Sequence, residues 1–448
     1  MGKITTGELA APDKKTHSVY RVNVITMGCS KNLVDSEVLL GQLRRGKFEV
    51  FHDADGKDFD AVIINTCGFI HDAKQESIDM ILNYADAKTR GETGKLYVMG
   101  CLSERYRKEL EEEIPEVDRY FGKFDIKDLT TELKTVFYPE YIHERVITTP
   151  SHYAYLKISE GCNRSCAFCA IPQMTGRYKS VPLENIVKEA GYLSRNGVRE
   201  LLLIAQDLTN YGIDIYGKNQ LTELVDIISG IEDVEWIRLH YLYPSGIPEG
   251  LADLIRDNPR VCRYLDIPLQ HISDPVLQRM SRKVTRKETE TLIRQLRDKI
   301  PGVALRTTMM TGFPGETDSD FEELKQFVVE SKFERLGVFT YSHEEGTFAA
   351  KRLNDDVPDE IKQARADELI EIQRNISLEI NRQRVGETYK VIIDRQEGDH
   401  FVGRTEFDSP EVDGEVYVSA DRELYAGQFY QVKITGADEY DLWGNVLF

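Results

Sequence analysis

No stretch of the 448 residues approaches the ~18 uninterrupted apolar residues of a membrane-spanning helix. Met1 to Ser18 is polar with scattered lysines in place of an apolar signal core. Both absences point to a cytoplasmic chain with no membrane partner. Cysteine is sparse and odd in number, seven in all, which argues against a secreted disulfide framework and favours metal or catalytic use of the thiols. Basic charge is also short. Against 76 Asp and Glu stand 57 Lys and Arg, for a net charge of −19, and such a surface opposes general binding to phosphate backbones. The remainder is ordinary for a globular protein: 41% hydrophobic and 30% charged residues, with 32 Gly and 15 Pro. At roughly 150 residues per domain, the length allows about two to four domains.

Three of the cysteines, Cys162, Cys166 and Cys169, fall in EGCNRSCAFCAIP. This C-x3-C-x2-C run lets three thiolates wrap one metal centre from a single loop. Structural zinc sites close with four ligands and ferredoxin-type clusters use four cysteines, so three local thiolates imply an open coordination position. An open iron can bind a substrate or cofactor; a zinc loop that borrows a distant ligand is the alternative. The loop follows a strand-like run, Tyr155 to Ser159, with Gly161 free to turn and Phe168 beside the last cysteine.

That spacing, with an aromatic residue before the third cysteine, resembles the radical S-adenosylmethionine (SAM) superfamily. The resemblance implies a 4Fe–4S cluster whose open iron chelates the amine and carboxylate of SAM. One electron from it would split the cofactor to a 5′-deoxyadenosyl radical. The surrounding chain alternates accordingly. Apolar, β-rich runs at Tyr155 to Ser159, Leu201 to Ala205, Trp236 to Leu242, Tyr264 to Leu269, Ala304 to Met310 and Leu336 to Tyr341 are separated by helix-like stretches. Those include Leu183 to Arg195, Leu221 to Ile231, Pro275 to Lys299 and Asp320 to Ser331. Six β/α units make a parallel sheet, either doubly wound or a barrel. The resemblance implies a partial (β/α)6 barrel.

In either fold, ligands gather at the C-terminal ends of strands. Gln206 and Asp207 end one strand, Gln270 and His271 another, and Thr311 to Glu316 a third. Gln206, Asp207, Gln270, Gly312 and Arg306 are the candidate SAM contacts, with Arg306 suited to a carboxylate and the turn at Gly312 and Gly315 to close backbone approach. A Gly-Pro turn before a helix needs no ligand, however. Tyr341-Ser342-His343 falls at the rim, where a lone histidine more often serves as a structural hydrogen-bonding group. Cys262, in VCRYLDI, reads as a small buried hydrophobe and is excluded from the sites.

The other three cysteines each close a β-like run: Cys29 in VNVITMGCSKN, Cys67 in AVIINTCGF and Cys101 in KLYVMGCLSE. In a parallel α/β sheet such strand ends lie along one edge, so the three can converge there. Gly28, Gly68 and Gly100 adjoin the thiols, and helices are expected at Leu33 to Leu43, Ala73 to Ala87 and Glu104 to Glu113. A single buried cysteine would be unremarkable. Three equivalent positions, in a chain that already holds a three-cysteine loop, favour a second 4Fe–4S centre with another open iron. One centre would then generate a radical and the other present a sulfur species, which points to sulfur insertion.

A charged helix from about Asp359 to Arg384, apolar at Leu369, Ile372, Ile376 and Ile380, leads to five short strands: YKVIID, HFVGRTEF, GEVYVS, FYQVKI and LWGNVLF. These suggest a small barrel that resembles the TRAM domain. Residues 386–448 hold five Lys and Arg against fourteen Asp and Glu. Such a tail repels nucleic acid and attracts a basic polypeptide.

From Val22 to Phe448 the chain resembles the methylthiotransferases. The expected architecture is an α/β chain of three parts: an N-terminal parallel α/β domain at 19–140, a radical SAM core at 148–380 and a small C-terminal β-barrel at 382–448. Within the family, MGCSKNLVDSE, YLDIPLQHISDPVLQRMSR and FTYSHEEGT resemble more closely the branch that modifies small-subunit ribosomal protein twelve. The resemblance implies a methylthio group placed on the β-carbon of an aspartate, one SAM supplying methyl and another the radical, and an electron-donor protein as further partner. The alternatives are a tRNA methylthiotransferase, for which a basic tail is expected, and a non-catalytic two-cluster electron carrier, which leaves the barrel and tail without purpose.

Overall fold

The computed structural model describes residues 19–447. Its amino-terminal part is a parallel sheet of β1 (Arg21–Thr26), β2 (Glu49–His52), β3 (Ala61–Thr66), β4 (Lys95–Gly100) and β5 (Arg119–Tyr120). Their order is β2-β1-β3-β4-β5. β3 is buried at every position and β1 and β4 nearly so, as parallel strands between two helical layers must be. The order reverses between β1 and β3, and the crevice at such a switch point is where doubly wound sheets bind ligands. Helices α1 (Ser30–Arg45), α2 (His71–Thr89) and α3 (Cys101–Glu113) follow β1, β3 and β4. The three expected helices lie inside these spans.

The middle part begins with β6 (Tyr153–Lys157), and a short ribbon, β7 (Ser159–Glu160) with β8 (Lys179–Ser180), flanks the cysteine loop. The strands β9 (Glu200–Ile204), β10 (Trp236–Leu239), β11 (Val261–Asp266), β12 (Ala304–Thr311) and β13 (Arg335–Thr340) follow. The sheet runs β13-β12-β11-β10-β9-β6 with every pair parallel. Strand order therefore follows chain order without a reversal. That removes the doubly wound alternative for this part and leaves a partial (β/α)6 barrel. Alternation sorts the side chains: Ala154 and Leu156 join the core with the surrounding helices, whereas Tyr153 and Tyr155 pack with Leu202, Ile204 and Val34 of α1 on the other face.

Two expectations are corrected. The stretch Pro275 to Lys299 is not one helix but two, Asp274–Arg279 and Arg286–Lys299. Thr285 starts the second with a capping box to Glu288, and Ser281 between them is left-handed at φ 56°. The run Trp236 to Leu242 also stops short, at Leu239, because Tyr241 takes φ 62°.

The tail strands β14 (Thr388–Glu397), β15 (His400–Thr405), β16 (Val416–Ser419), β17 (Phe429–Ala437) and β18 (Leu442–Leu447) close into a barrel. Val391, Ile393, Val416, Val418, Val432 and Ile434 fill it. The barrel docks on the N-terminal ends of the middle strands, opposite the cysteine loop. Glu200, first in β9, receives Arg238 and Arg404, each at 2.8 Å, and Arg404 also holds Asp394 at 2.7 Å. Cys262 is buried there beside Trp236, Tyr264 and Phe407, in the hydrophobic role expected of it.

Candidate functional site

The cysteine loop is fixed at several points. Cys162 N–H donates to Gly176 O at 3.3 Å, Ala167 N–H to Met280 O at 2.8 Å, and Ala349 N–H to Ala167 O at 2.8 Å. The break between the two helices supplies both that Met280 carbonyl and Arg282, whose Nη1 lies 3.6 Å from Cys166 Sγ. Phe168 stands edge-on to Phe313 at 6.4 Å, and Phe313 to Tyr341 at 5.2 Å. Burial pushes the Cys162 thiol up to about 11 and the Cys169 thiol to about 12, helped by neighbouring thiols.

At the edge of the first sheet, Cys29 is the N-cap of α1, Cys67 follows β3 and Cys101 opens α3. Two glycines show how tightly the three strand ends meet. A Cβ on Gly28 would stand 2.8 Å from Cys67 Sγ, and one on Gly68 would stand 2.9 Å from the Cys101 carbonyl carbon. Desolvation raises Cys101 to about 12 and also raises Cys67. Cys29 goes the other way. Desolvation opposes its thiolate too, but Lys31, the Asn32 N–H and Lys123 outweigh it and hold the thiol below its usual range. A helix N-terminus acts in the same sense.

All six cysteines are free thiols, soft donors of the kind that iron–sulfur clusters use. Each triad also has a buried cation to offset the charge of three thiolates. Arg282 lies at Cys166. Lys123 Nζ and Cys101 Sγ share Asn32 Oδ1, at 3.3 and 3.6 Å. Among the described residues no three His, Cys, Asp or Glu side chains are close enough together to grip one bare metal ion. A cluster carries its own sulfides and reaches each thiol from farther away. Three soft thiolate donors in each set suit an iron–sulfur cluster.

A chain of charge, buried at Lys123 and half-buried at Asp35, Lys157 and Glu160, joins the two triads. Lys123 donates to Asp35 of α1 at 2.7 Å, Lys157 of β6 pairs with the same carboxylate, and Lys157 reaches Glu160 at 2.8 Å. Gln206 then donates to Glu160. A second clamp lies at the rim, where Glu344 takes Lys74 at 2.8 Å and Arg105 at 3.1 Å, and Arg105 also donates to the Gly68 carbonyl at 3.1 Å.

The candidate SAM contacts scatter. Gln206 lies beside Glu160 next to the cysteine loop, with its Oε1 buried and unpartnered. Asp207 is engaged within the chain: it caps the turn at Thr209 and holds Arg164 of the cysteine loop at 2.8 Å. Gln270, left-handed at φ 73°, bridges to β12 through its backbone. Gly312 donates its N–H to Glu316 at 2.9 Å and is covered by Lys362. Arg306 does reach carboxylates, but those of Asp266 at 3.1 Å and of the tail's Asp413 at 3.5 Å. The acidic tail is likewise partly spent inside the protein, through Asp394, Glu406, Asp408 and Asp413. Sequence reasoning missed Lys31, Asp35, Lys123, Lys157, Glu160 and Arg282. The only local signal was that Lys31 and Asp35 flank Cys29 and share a helix face.

Three families match in turn: Uncharacterized protein family UPF0004 over residues 21–122, the radical SAM superfamily over 156–328 and the TRAM domain over 385–447. The chain is 54% identical over 428 residues to the ribosomal protein uS12 methylthiotransferase RimO of Bacteroides thetaiotaomicron, covering 95% of this chain and 98% of that one. To RimO of Flavobacterium johnsoniae it is 54% identical over 427 residues, with the same coverage. Among solved structures, the radical SAM methyltransferase TsrM of Kitasatospora setae, with cobalamin and a [4Fe–4S] cluster bound, shares the fold. Its TM-score is 0.52 at 15% identity, covering 91% of this chain and 84% of that one. The chain is thus a transferase whose radical SAM core works with an iron–sulfur cluster and SAM. With more than half its residues shared along 95% of its length, it belongs to the RimO family of ribosomal protein uS12 methylthiotransferases.

Proposed function

We propose that this chain replaces a hydrogen on the β-carbon of an aspartate in ribosomal protein uS12 with a methylthio group, in the cytoplasm. The observation that carries the reading is that two cysteine triads, on two different sheets, are tied together by the largely sheltered Lys123–Asp35–Lys157–Glu160 chain. A reaction that makes a carbon radical at one centre and quenches it with sulfur at another needs such fixed spacing.

Cys162, Cys166 and Cys169 would hold one 4Fe–4S cluster, with SAM and an electron-donor protein as its partners, and Cys29, Cys67 and Cys101 would hold a second, which would supply sulfur. Bound there, the first supplies the radical that removes hydrogen from an unactivated carbon, which ionic side chains cannot do. The chain's own residues orient and insulate. Arg282 and Lys123 neutralise thiolate charge, Asp207 steadies the cysteine loop through Arg164, and Gln206 with its free Oε1 borders the space beside Glu160 as a SAM contact. Arg306 is held by Asp266 and Asp413, and Gly312 packs against Lys362. The domain bounds 19–140, 148–380 and 382–448 suit this division, with the interdomain clamps between the first two.

Mass spectrometry of uS12 from cells with and without the gene, with tRNA nucleosides analysed in parallel, tests the reading. The expected result is one methylthio-bearing aspartate that disappears with the gene. Loss of a methylthioadenosine in its place would overturn it.

A further inference from the structure

Of Lys31, Lys123 and Lys157, Lys31 alone has no carboxylate in ion-pair contact. Its side chain is 9% exposed, and among the described residues no carboxylate lies within ion-pair distance of it and no hydrogen bond from its ammonium is made. Its neighbours Lys123 and Lys157 both hold Asp35. What Lys31 has is the ring of Tyr241, with Nζ 3.7 Å from the ring centroid. That is close cation–π geometry.

The ring is held there at some cost. Tyr241 sits at φ 62°, a backbone conformation that bulky residues avoid. Its N–H donates to Asp266 Oδ2 at 3.1 Å, and its carbonyl accepts from Leu208 N–H at 3.1 Å. Strain of this kind persists only where its surroundings fix it, and it clusters at ligand sites. Position supplies the rest. Lys31 stands two residues after Cys29 on the first sheet's crevice and is near Glu160 at the cysteine loop, and Tyr241 stands just past the C-terminal end of β10 in the barrel. The ammonium therefore lies where the first sheet meets the barrel. Cys29 and Glu160 offset its charge at longer range, but no carboxylate touches it, and a buried ammonium with no ion pair in contact is suited to receive an anion that arrives from outside.

We infer that Lys31, backed by Tyr241, is the receptor for the carboxylate of the substrate aspartate, and so a residue that selects an acidic side chain. The inference rests on the proposed function. The carboxyl carbon is bonded to the β-carbon that reacts, so an ion pair at the carboxylate places that carbon between the two centres to within a bond length. A neutral amide or a nucleobase would leave the ammonium unpaired. SAM also carries a carboxylate, and the test separates the two sources.

The target aspartate is first located on uS12 by peptide mass spectrometry. Binding of uS12, and of uS12 with that residue changed Asp→Asn, is then measured by fluorescence anisotropy to the cluster-loaded full chain, to Lys31→Met and to Lys31→Arg. SAM retention is measured by equilibrium dialysis. The wild-type chain is expected to prefer the aspartate form by on the order of 30-fold, the usual scale for truncating a desolvated ion pair. Lys31→Met should bind both forms equally, and Lys31→Arg should recover part of the preference. The substitution on uS12 leaves the enzyme untouched, so the wild-type comparison stands even if a variant folds poorly. A preference that survives in Lys31→Met, equal losses for both forms, or a loss confined to SAM would each overturn the assignment. A methylthio group absent from uS12 altogether would instead overturn the proposed function.

Discussion

The two cysteine triads reach the same donor set by opposite routes. Cys162, Cys166 and Cys169 come from eight consecutive residues on one loop, braced by Met280 and Ala349. Cys29, Cys67 and Cys101 come from three strand ends, and nothing local brings them together. The first can be recognised as a motif; the second exists only once β1, β3 and β4 pair in register. The electrostatics differ as well. The local triad has one guanidinium at Cys166, whereas the assembled triad has Lys31 and Lys123 and a Cys29 thiol held below its usual pKa.

The largest effect expected is the separation of the two roles. Cys166→Ala should abolish SAM cleavage, read as 5′-deoxyadenosine formed anaerobically with dithionite. Cys67→Ala should leave cleavage intact and stop methylthio transfer to uS12. Equal loss of cleavage in both variants would erase the distinction.

Next in size is the clamp that holds the triads in register. Lys123 is 3% exposed and holds Asp35, itself shared with Lys157. Removing one partner of a buried pair leaves the other charge stranded, so Lys123→Met should cost about 3–5 kcal/mol in denaturant unfolding. Lys332 and Glu379 also pair, at 3.0 Å, but both side chains are about half exposed. Lys332→Met should leave the midpoint unchanged. If the two variants behave alike, the chain of charge between the sheets is only a surface feature.

The same contrast explains what was legible in the sequence. The barrel was, because six apolar β runs alternate with helices, and only the strand order was needed to decide between barrel and doubly wound sheet. The five tail strands were, from their alternation and turns. The six thiols could be named from spacing and repetition. The clamp was not, since Asp35, Lys123, Lys157 and Glu160 lie on separate elements and read singly as solvated charges. The helix break at Met280 to Thr285 was masked because the apolar spacing continues through it, and only Ser281 at positive φ reveals the turn. Arg306 could be read as a carboxylate partner, and the carboxylates it meets in the fold are those of Asp266 and Asp413.

A smaller effect tests how the tail is attached. Asp394 accepts from Arg404 at 2.7 Å and pairs with His152 at 2.7 Å. Burial alone would raise its pKa, but Arg404 and then His152 overcome that and bring it down to about 2. A carboxylate depressed on folding stabilises the protein above its unfolded pKa of about 4, and that stability is lost as pH falls toward 2. The difference corresponds to about 2 kcal/mol at neutral pH. Asp394→Asn should lose that amount, and the gap between variant and wild type in urea midpoints should close between pH 4 and 2. A gap that stays constant across this range would mean that shape, not charge, docks the barrel there.

The smallest effect concerns the tail's remaining charge. Asp408 and Asp413 are bound to Arg335 and Arg306 of the middle sheet, so they offer nothing to a partner. Asp399, Asp421 and Glu423 are exposed, so under the proposed function they would attract a basic substrate from a distance. Long-range attraction acts on encounter, not on the docked geometry, and is screened over about 8–10 Å at moderate salt. Replacing these three by Asn, Asn and Gln should slow association with uS12 a few-fold at low ionic strength. The rates should converge with wild type as salt rises, and the thermal midpoint should not move. Asp408→Asn should do the reverse, lowering stability while leaving the salt dependence of association as it was. If the exposed triple substitution leaves the low-salt rate untouched, the acidic excess of the tail is a docking device for the chain itself, and substrate choice must come entirely from the space between the two triads.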